Sequence, residues 1–117
     1  MKKSAIPCLH FLALILFSAP ALAAGPVSTN GIASVSFQNS DFFLNADDWP
    51  NPNNCTRGGS VVLLKTDPNY DKAYALLLSA YMSGKGVSGY SDGCINFDGQ
   101  TYNTIRGFKY LTVHEPS

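Results

Sequence analysis

The chain has 117 residues, of which 14% are charged and 45% hydrophobic, and its formal net charge at pH 7 is zero. Without the two N-terminal lysines, six basic residues stand against eight acidic ones, a net charge of −2. A chain of this length supports one domain with a modest hydrophobic core and is too short for two. Nucleic-acid binding depends on a basic surface, so the composition speaks against a nucleic-acid partner.

The N-terminal segment has the three parts of a secretory signal peptide. Two lysines precede an apolar stretch over residues 11–17, and a small-residue cleavage motif follows at 21–23. The apolar stretch is shorter than the roughly 20 residues that a membrane-spanning helix needs. We therefore expect residues 1–24 to be a cleaved signal peptide and residues 25–117 to be a single exported domain, periplasmic or secreted, without a membrane span.

Two cysteines remain in the mature chain, Cys55 and Cys94. An even pair in an oxidising compartment predicts a disulfide. Closing a loop of about 40 residues removes denatured-state entropy equivalent to roughly 4 kcal/mol. A metal pair or a redox-active thiol is the alternative, but the cysteines are far apart and no Cys-x-x-Cys motif is present. We expect no metal and no cofactor.

Three strands are predicted in the first half of the mature chain, over residues 31–38, 42–45 and 60–65. The first alternates, which places Ala33, Val35 and Phe37 on one face, expected to be the core face. The third is a continuous apolar run, which suits a strand buried on both sides or a strand that lines a small barrel. Between the second and third strands, residues 46–59 are dense in Asp, Asn, Pro and Gly and predict an ordered loop.

A helix is predicted from Pro68 to Ser83. Asp67 is the expected N-cap, and Pro68 occupies the first helical position, where its missing N–H costs nothing. Gly84 is expected to end the helix as a left-handed cap. One face carries residues spaced by four, three and four: Tyr70, Tyr74, Leu77 and Tyr81. We interpret this tyrosine face as packing against a sheet, with a binding surface as the alternative.

The last third of the chain predicts two further strands. The first lies within residues 86–94, and the second is an alternating run over residues 105–113. Residues 95–104 are interpreted as a connector that contains an Asp98-Gly99 hairpin signal. Three strands, a helix and two strands form the β-β-β-α-β-β order of an OB-type five-stranded barrel. An α+β sandwich is the alternative fold.

A family resemblance points the same way. The run NYDKAYALLLSAYMSGKGVSGYSDGC, residues 69–94, resembles the corresponding region of small exported bacterial proteins similar to the B subunits of subtilase-type AB5 cytotoxins. The resemblance implies an OB-type barrel, a homo-oligomer that is often a ring of five, carbohydrate binding and a toxin A subunit as a partner. The stretch NGIAS, residues 30–34, resembles a family segment whose serine binds the glycan, which makes Ser34 a candidate ligand contact.

The sequence contains few residue patterns that are typical of an enzyme. No His, Asp, Glu or Cys cluster has metal-ligand spacing. Asp47 and Asp48 could supply half of a glycosidase pair, but such enzymes need two carboxyl groups across a cleft. We prefer to interpret this pair as a turn with an exposed acidic edge. His114, near the end of the chain, is interpreted as solvated and without a role, so the chain is expected not to be an enzyme.

The segment around Trp49 is the strongest candidate for binding. Trp49 is flanked by Asn51 and Asn53, a combination of an apolar ring and directional polar groups that suits a sugar. The alternative is that Trp49 plugs the end of the barrel. The candidate ligand contacts are therefore Ser34, Trp49, Asn51 and Asn53.

Two functions of different classes follow from these observations. The first is a non-catalytic, oligomeric binding module similar to toxin B subunits, which recognises a glycan or another cell-surface ligand. The second is a periplasmic structural or inhibitory protein that binds a protein partner.

Overall fold

The computed structural model describes residues 24–117, so the predicted signal peptide lies outside the described residues except for Ala24. In chain order the elements are β1 (Gly25–Thr29), β2 (Ser34–Gln38), β3 (Asp41–Asn45), β4 (Arg57–Leu63), α1 (Tyr70–Ser83), β5 (Gly86–Ser91), β6 (Cys94–Phe97), β7 (Gln100–Thr104) and β8 (Leu111–His114). For the described residues, the prediction of a mainly β structure with one helix is confirmed. The prediction of five strands is wrong, because the described residues form eight.

The strands form two sheets. The smaller sheet has the order β1-β5-β8 and is antiparallel throughout. The larger has the order β2-β3-β4-β7-β6 and is antiparallel except for the parallel pair β4 and β7. The sheets are separate ladders and do not close into one barrel. The chain just after β7 joins them, since Ile105 N donates to Val62 O (2.9 Å) and Arg106 N donates to Tyr90 O (2.9 Å).

The core lies between the two sheets and under α1. Its fully buried side chains include Val27 and Val87 of the smaller sheet, Leu44 and Leu63 of the larger one, and Leu77 of the helix. The consecutive apolar residues near the end of β4, 61–63, are at most 1% exposed. The prediction of a buried strand is therefore confirmed for residues 61–63, whereas Leu64 and Lys65 of the predicted run 60–65 lie beyond the end of β4.

The helix ends as predicted but begins later. Gly84 adopts a left-handed conformation (φ 70°), and its N–H points to the carbonyls of Ala80 and Tyr81, as a C-cap requires. The N-terminal residue of α1 is Tyr70, and Asn69 occupies the N-cap position without a side-chain cap. The prediction of Asp67 as the N-cap is wrong because the helix begins at Tyr70, and the Asp67 carboxylate accepts hydrogen bonds from Asn69 N, before the helix, and from Gly107 N.

The predicted core face of the first strand is only partly realised. Val35 is half-buried, whereas Ala33 is exposed and Phe37 is 54% exposed. The reason is position, because β2 is the edge strand of the larger sheet and has β3 as its only ladder partner. The Phe37 ring rests against Phe42 and Tyr74, at centroid distances of 5.2 and 5.6 Å.

The C-terminal third differs most from expectation. The predicted connector is a hairpin of β6 and β7, turning at Asp98 (φ 54°) and Gly99 (φ 81°). These two positive φ angles are typical of the two-residue hairpin turn that the Asp-Gly signal predicts. The predicted last strand, residues 105–113, is wrong in its first two-thirds, since β8 begins only at Leu111. Strand β1 has no counterpart among the predicted elements.

The Cys55–Cys94 disulfide is present, with the two Cα atoms 5.8 Å apart, and the prediction of this bond is confirmed. It fastens the loop before β4 to the first residue of β6. Within residues 24–117, no helix has both the length and the apolar character to cross a membrane.

Candidate functional site

Trp49 lies in the interior of the protein. It is 5% exposed and belongs to the core cluster, and its indole N–H donates to the Leu44 carbonyl oxygen at 3.0 Å. A ring with so little exposed area offers no face on which a sugar could stack. The interpretation of Trp49 as a plug agrees with this position.

The two predicted asparagines hold the loop that follows Trp49. Asn51 Oδ1 accepts hydrogen bonds from Cys55 N (2.8 Å) and from Asn103 Nδ2 (2.7 Å). Asn53 Nδ2 donates to Ser91 Oγ (2.9 Å) and to Asn103 Oδ1 (3.0 Å). These amides therefore attach the loop to β5 and β7 and are directed inward.

Ser34 lies on the exposed edge strand β2, where its hydroxyl accepts a hydrogen bond from Asn45 Nδ2 at 2.9 Å. Asn45 Oδ1 in turn accepts from Ser60 Oγ at 2.5 Å. Ser34 thus belongs to a polar row across β2, β3 and β4. The structure does not direct the four predicted ligand contacts towards one common surface.

A different part of the chain exposes aromatic and cationic side chains together. We call this group the aromatic surface, and it consists of Tyr90, Arg106, Phe108, Lys109 and Tyr110. Phe108 is 45% exposed and Tyr110 is 43% exposed. Four of the five residues come from residues 105–110, the loop between β7 and β8, and the fifth comes from β5.

Contacts between rings and cations order the aromatic surface. Lys109 Nζ lies 4.4 Å from the centroid of the Tyr90 ring, and Arg106 Cζ lies 4.6 Å from that of Phe108. The Tyr90 and Tyr110 rings are 6.2 Å apart. Both cations are within the distance at which a ring quadrupole attracts them, so the exposed rings are held in a defined arrangement.

A buried carboxylate fixes the loop that carries these side chains. The Asp67 side chain is fully buried, and it accepts hydrogen bonds from Gly107 N (2.9 Å) and Asn69 N (2.9 Å). Arg106 Nε lies 3.3 Å from Asp67 Oδ2 and 3.7 Å from Asp92 Oδ2. This nitrogen makes no hydrogen bond of good geometry, so its attraction to the two carboxylates is Coulombic.

Gly107 lets the loop approach the start of the helix. A Cβ atom on Gly107 would lie 2.9 Å from the Ala73 Cβ and 3.1 Å from Asp67 Oδ1, closer than carbon atoms normally pack. Asn69 Nδ2 donates to the Gly107 carbonyl at 3.0 Å. Residues 105–110 are therefore seated on the start of α1 and do not continue as a strand.

A shallow cleft of about 380 Å³ lies at the start of α1, lined by Lys65 and by residues 67–72. It contains charges of both signs, and Lys65 Nζ lies 4.8 Å from the centroid of the Tyr70 ring. Burial raises the pKa of the Tyr70 phenol, and the neighbouring Tyr74 and Asp41 add to the shift.

The acidic pair is part of a turn. Asp48 accepts hydrogen bonds from Thr29 Oγ1 and from Asn30 N (2.9 Å for the latter), and these bonds lower the pKa of its carboxyl group. Asp47 is exposed beside it. Within residues 24–117, no group of three or more His, Cys, Asp or Glu side chains could hold a metal ion.

Sequence reasoning missed the aromatic surface because the alternation of residues 105–113 favoured a regular strand. Arg106-Gly107 in that run was the available signal, since a glycine within a strand pattern often marks a close approach of the backbone.

Comparison of the chain with protein-family models, with curated proteins and with solved structures gave no match.

Proposed function

We propose that the protein is an exported binding module that recognises a glycan through the aromatic surface. The observation that carries this proposal is the exposure of Phe108 and Tyr110 beside Lys109, on a loop held by a buried carboxylate. Aromatic rings supply flat apolar faces for the C–H groups of a sugar, and tyrosine hydroxyls and a lysine supply directional polar contacts. A loop ordered before binding loses less entropy when the ligand arrives.

The outer face of the smaller sheet supports the same proposal. Tyr90 of β5 lies opposite Pro26 of β1. Two residues further along the strands, on the same face, the side chains of Ser28, Ser88 and Thr112 form a row across β1, β5 and β8. Hydroxyl groups beside exposed rings can bind several sugar hydroxyls at once. The resemblance of residues 69–94 to toxin B subunits favours this class of function as well.

We further propose an OB-type fold and self-association, as the resemblance implies. Two observations support the OB-type fold. β4 pairs in parallel with β7, and the backbone hydrogen bonds of Ile105 and Arg106 connect this pair to β5. An experimental structure of the mature protein that lacks the β5 to β7 connection would contradict the OB-type assignment. Self-association is argued below from the free edges of the larger sheet.

A glycan array on the mature, oxidised protein tests the binding proposal. We expect the wild type to bind a defined set of glycans and Tyr110→Ser to lose at least about tenfold in affinity, since an exposed aromatic contact contributes more than about 1.4 kcal/mol when it anchors a ligand. The matched control is Met82→Ser, because Met82 is 74% exposed on α1 and outside the aromatic surface. Equal binding by the two variants, or no binding by the wild type, would contradict the proposal.

A further inference from the structure

The outer face of the smaller sheet carries a serine and a histidine in direct contact. Ser88 Oγ lies 2.9 Å from His114 Nε2. The other ring nitrogen, His114 Nδ1, lies 2.9 Å from the backbone carbonyl oxygen of Glu115. A carbonyl oxygen only accepts hydrogen bonds, so in the neutral imidazole Nδ1 carries the hydrogen and Nε2 accepts from the Ser88 hydroxyl. A hydroxyl, a base and a third group that orients the base are the elements of an activated nucleophile.

The imidazole ring is held in place by its surroundings. Gly86 lies opposite His114 in the ladder, and a Cβ atom on Gly86 would lie 2.5 Å from Cε1 and 2.8 Å from Nδ1 of the ring. The ring therefore occupies space that only glycine leaves free. Lys85 forms an ion pair with Glu115 at 2.5 Å, which holds the residue whose carbonyl orients the imidazole.

Two further hydroxyl groups flank Ser88. Ser28 lies directly opposite on β1, and Thr112 lies directly opposite on β8. Residues paired in this way have Cβ atoms about 4.5–5.5 Å apart. Both side chains are exposed, and neither hydroxyl makes a hydrogen bond within the part of the chain that the structure describes. Hydroxyl groups on residues beside a nucleophile are the type of donor that stabilises an oxygen which develops negative charge.

We propose that Ser88 and His114 form a nucleophile and base pair that cleaves carboxylic esters of short acyl groups. Ser88 Oγ bonds to the ester carbonyl carbon while its proton passes to His114 Nε2. The bond from that carbon to the alcohol oxygen breaks, and the alcohol leaves with the proton from Nε2. A water molecule then hydrolyses the acyl-serine, giving the free acid and restoring both side chains.

The class of substrate follows from the residues around Ser88. Ser28 and Thr112 are short and polar, so they suit a short acyl group such as acetyl and not a long apolar chain. Tyr90 lies two residues from Ser88 on the same face of β5, about 7 Å along the strand. This activity goes beyond the proposed binding role and does not depend on it, because the geometry of the pair is independent of any glycan.

The test uses the mature, oxidised protein with p-nitrophenyl acetate and, separately, a fluorophosphonate probe that labels activated serines. We expect ester hydrolysis, and labelling of one serine that peptide mapping assigns to Ser88. Because positioned general-base catalysis contributes roughly 10²–10⁴-fold, Ser88→Ala should lose the label and at least about 100-fold in rate. The control is Ser79→Ala, because Ser79 is an exposed serine on α1. This variant should leave both the labelling of Ser88 and the hydrolysis rate unchanged.

Two further variants separate the roles of the pair. Gly86→Ala should displace the imidazole and reduce both labelling and rate while Ser88 and His114 remain. Because the added Cβ would also lie 2.9 Å from the Thr29 carbonyl oxygen of β1, circular dichroism must show that the fold is kept. His114→Gln removes the imidazole without adding a methyl group at position 86, and it should also reduce both the labelling and the hydrolysis rate. The proposal is overturned if the wild type is not labelled, or if Ser88→Ala retains the hydrolysis rate, which would mean that the imidazole reacts with the ester on its own.

Discussion

At the scale of single residues, polar groups that look suited to a ligand can serve the fold. Asn51 and Asn53 satisfy backbone and side-chain groups of a loop that has no regular structure, and Trp49 fills the interior beside it. A buried backbone needs a partner for each N–H and C=O, so an irregular loop requires side chains of this kind. The residue types of Asn51 and Asn53 predicted that both would make polar contacts. They did not predict that these contacts are made within the protein and not with a ligand.

Asp48 gives a pH-dependent prediction at the same scale. Its hydrogen bonds from Thr29 and from the Asn30 backbone lower its pKa below the ordinary value of 3.8. The carboxylate therefore stabilises the fold fully above the unfolded-state pKa, and this contribution is lost as the pH falls through the lower folded-state value. Since the group is exposed, we expect it to contribute about 1 kcal/mol or less at neutral pH.

Urea unfolding at pH 7 and at pH 2 measures this contribution. Asp48→Asn should lower the free energy of unfolding at pH 7 and lower it by less at pH 2, because the contribution of the wild-type carboxylate is lost as the pH falls through its lowered pKa. Asp47→Asn is the control, because the exposed Asp47 carboxylate makes no hydrogen bond in the part of the chain described. A difference between wild type and Asp48→Asn that is equally large at both pH values would show that the ionised carboxylate is not the cause.

At the scale of elements, the buried Asp67 carboxylate joins the start of α1 to residues 105–110 between β7 and β8, which we call the aromatic loop. Removing it leaves Gly107 N without its acceptor and Arg106 without its closest counter-charge. Breaking a buried ion pair by removing one partner costs about 3–5 kcal/mol. We expect Asp67→Ala to lower the free energy of unfolding by about 3 kcal/mol in urea unfolding.

Asp71→Ala is the matched control for this variant. Asp71 lies in the first turn of α1 and is exposed, so its removal should cost no more than about 1 kcal/mol through the helix dipole. Equal costs for the two substitutions would mean that Asp67 does not hold the loop.

Some boundaries of the helix and strands could be predicted from the local sequence and others could not. The helix end at Gly84 and the buried part of β4, residues 61–63, depend on local signals, and both were predicted. The start of α1 was placed two residues early because the Asp67 carboxylate accepts from Gly107 N, 40 residues later in the chain. The aromatic loop could not be predicted for the same reason, since its conformation depends on this long-range contact.

At the scale of the whole molecule, the order of elements predicted fewer strands than the chain forms. Strand β1 begins immediately after the predicted cleavage position, and the β6–β7 hairpin falls where a connector was expected. Both depend on partners distant in sequence, because β1 pairs with β5 and β7 pairs with β4. Mainly β content and one disulfide were predictable from composition and spacing, whereas the division into two sheets was not.

Within residues 24–117, β2 and β6 are the edge strands of the larger sheet and have no further ladder partner, which predicts self-association. Neither β2 nor β6 contains a charged residue or a proline, the usual means by which edge strands avoid pairing. Pairing of β2 with β6 of the next copy would be a head-to-tail contact, which closes into a ring when the rotation allows. Light scattering after size exclusion should give a ring-sized oligomer for the wild type and a monomer for Ser36→Lys.

The control for this prediction is Ser79→Lys, which introduces the same charge on the exposed face of α1. It should leave the oligomer intact. A monomeric wild type would contradict the edge-pairing argument.

The central claim is that ligand recognition takes place at the aromatic surface and not around Ser34. The most direct measurement is a two-dimensional ¹⁵N NMR titration of the mature, oxidised protein with the oligosaccharide that the array selects. The account predicts shifted amides in residues 88–90 and 105–112. Shifts confined to residues 34–38 and 46–56, or no oligosaccharide that binds at all, would contradict it.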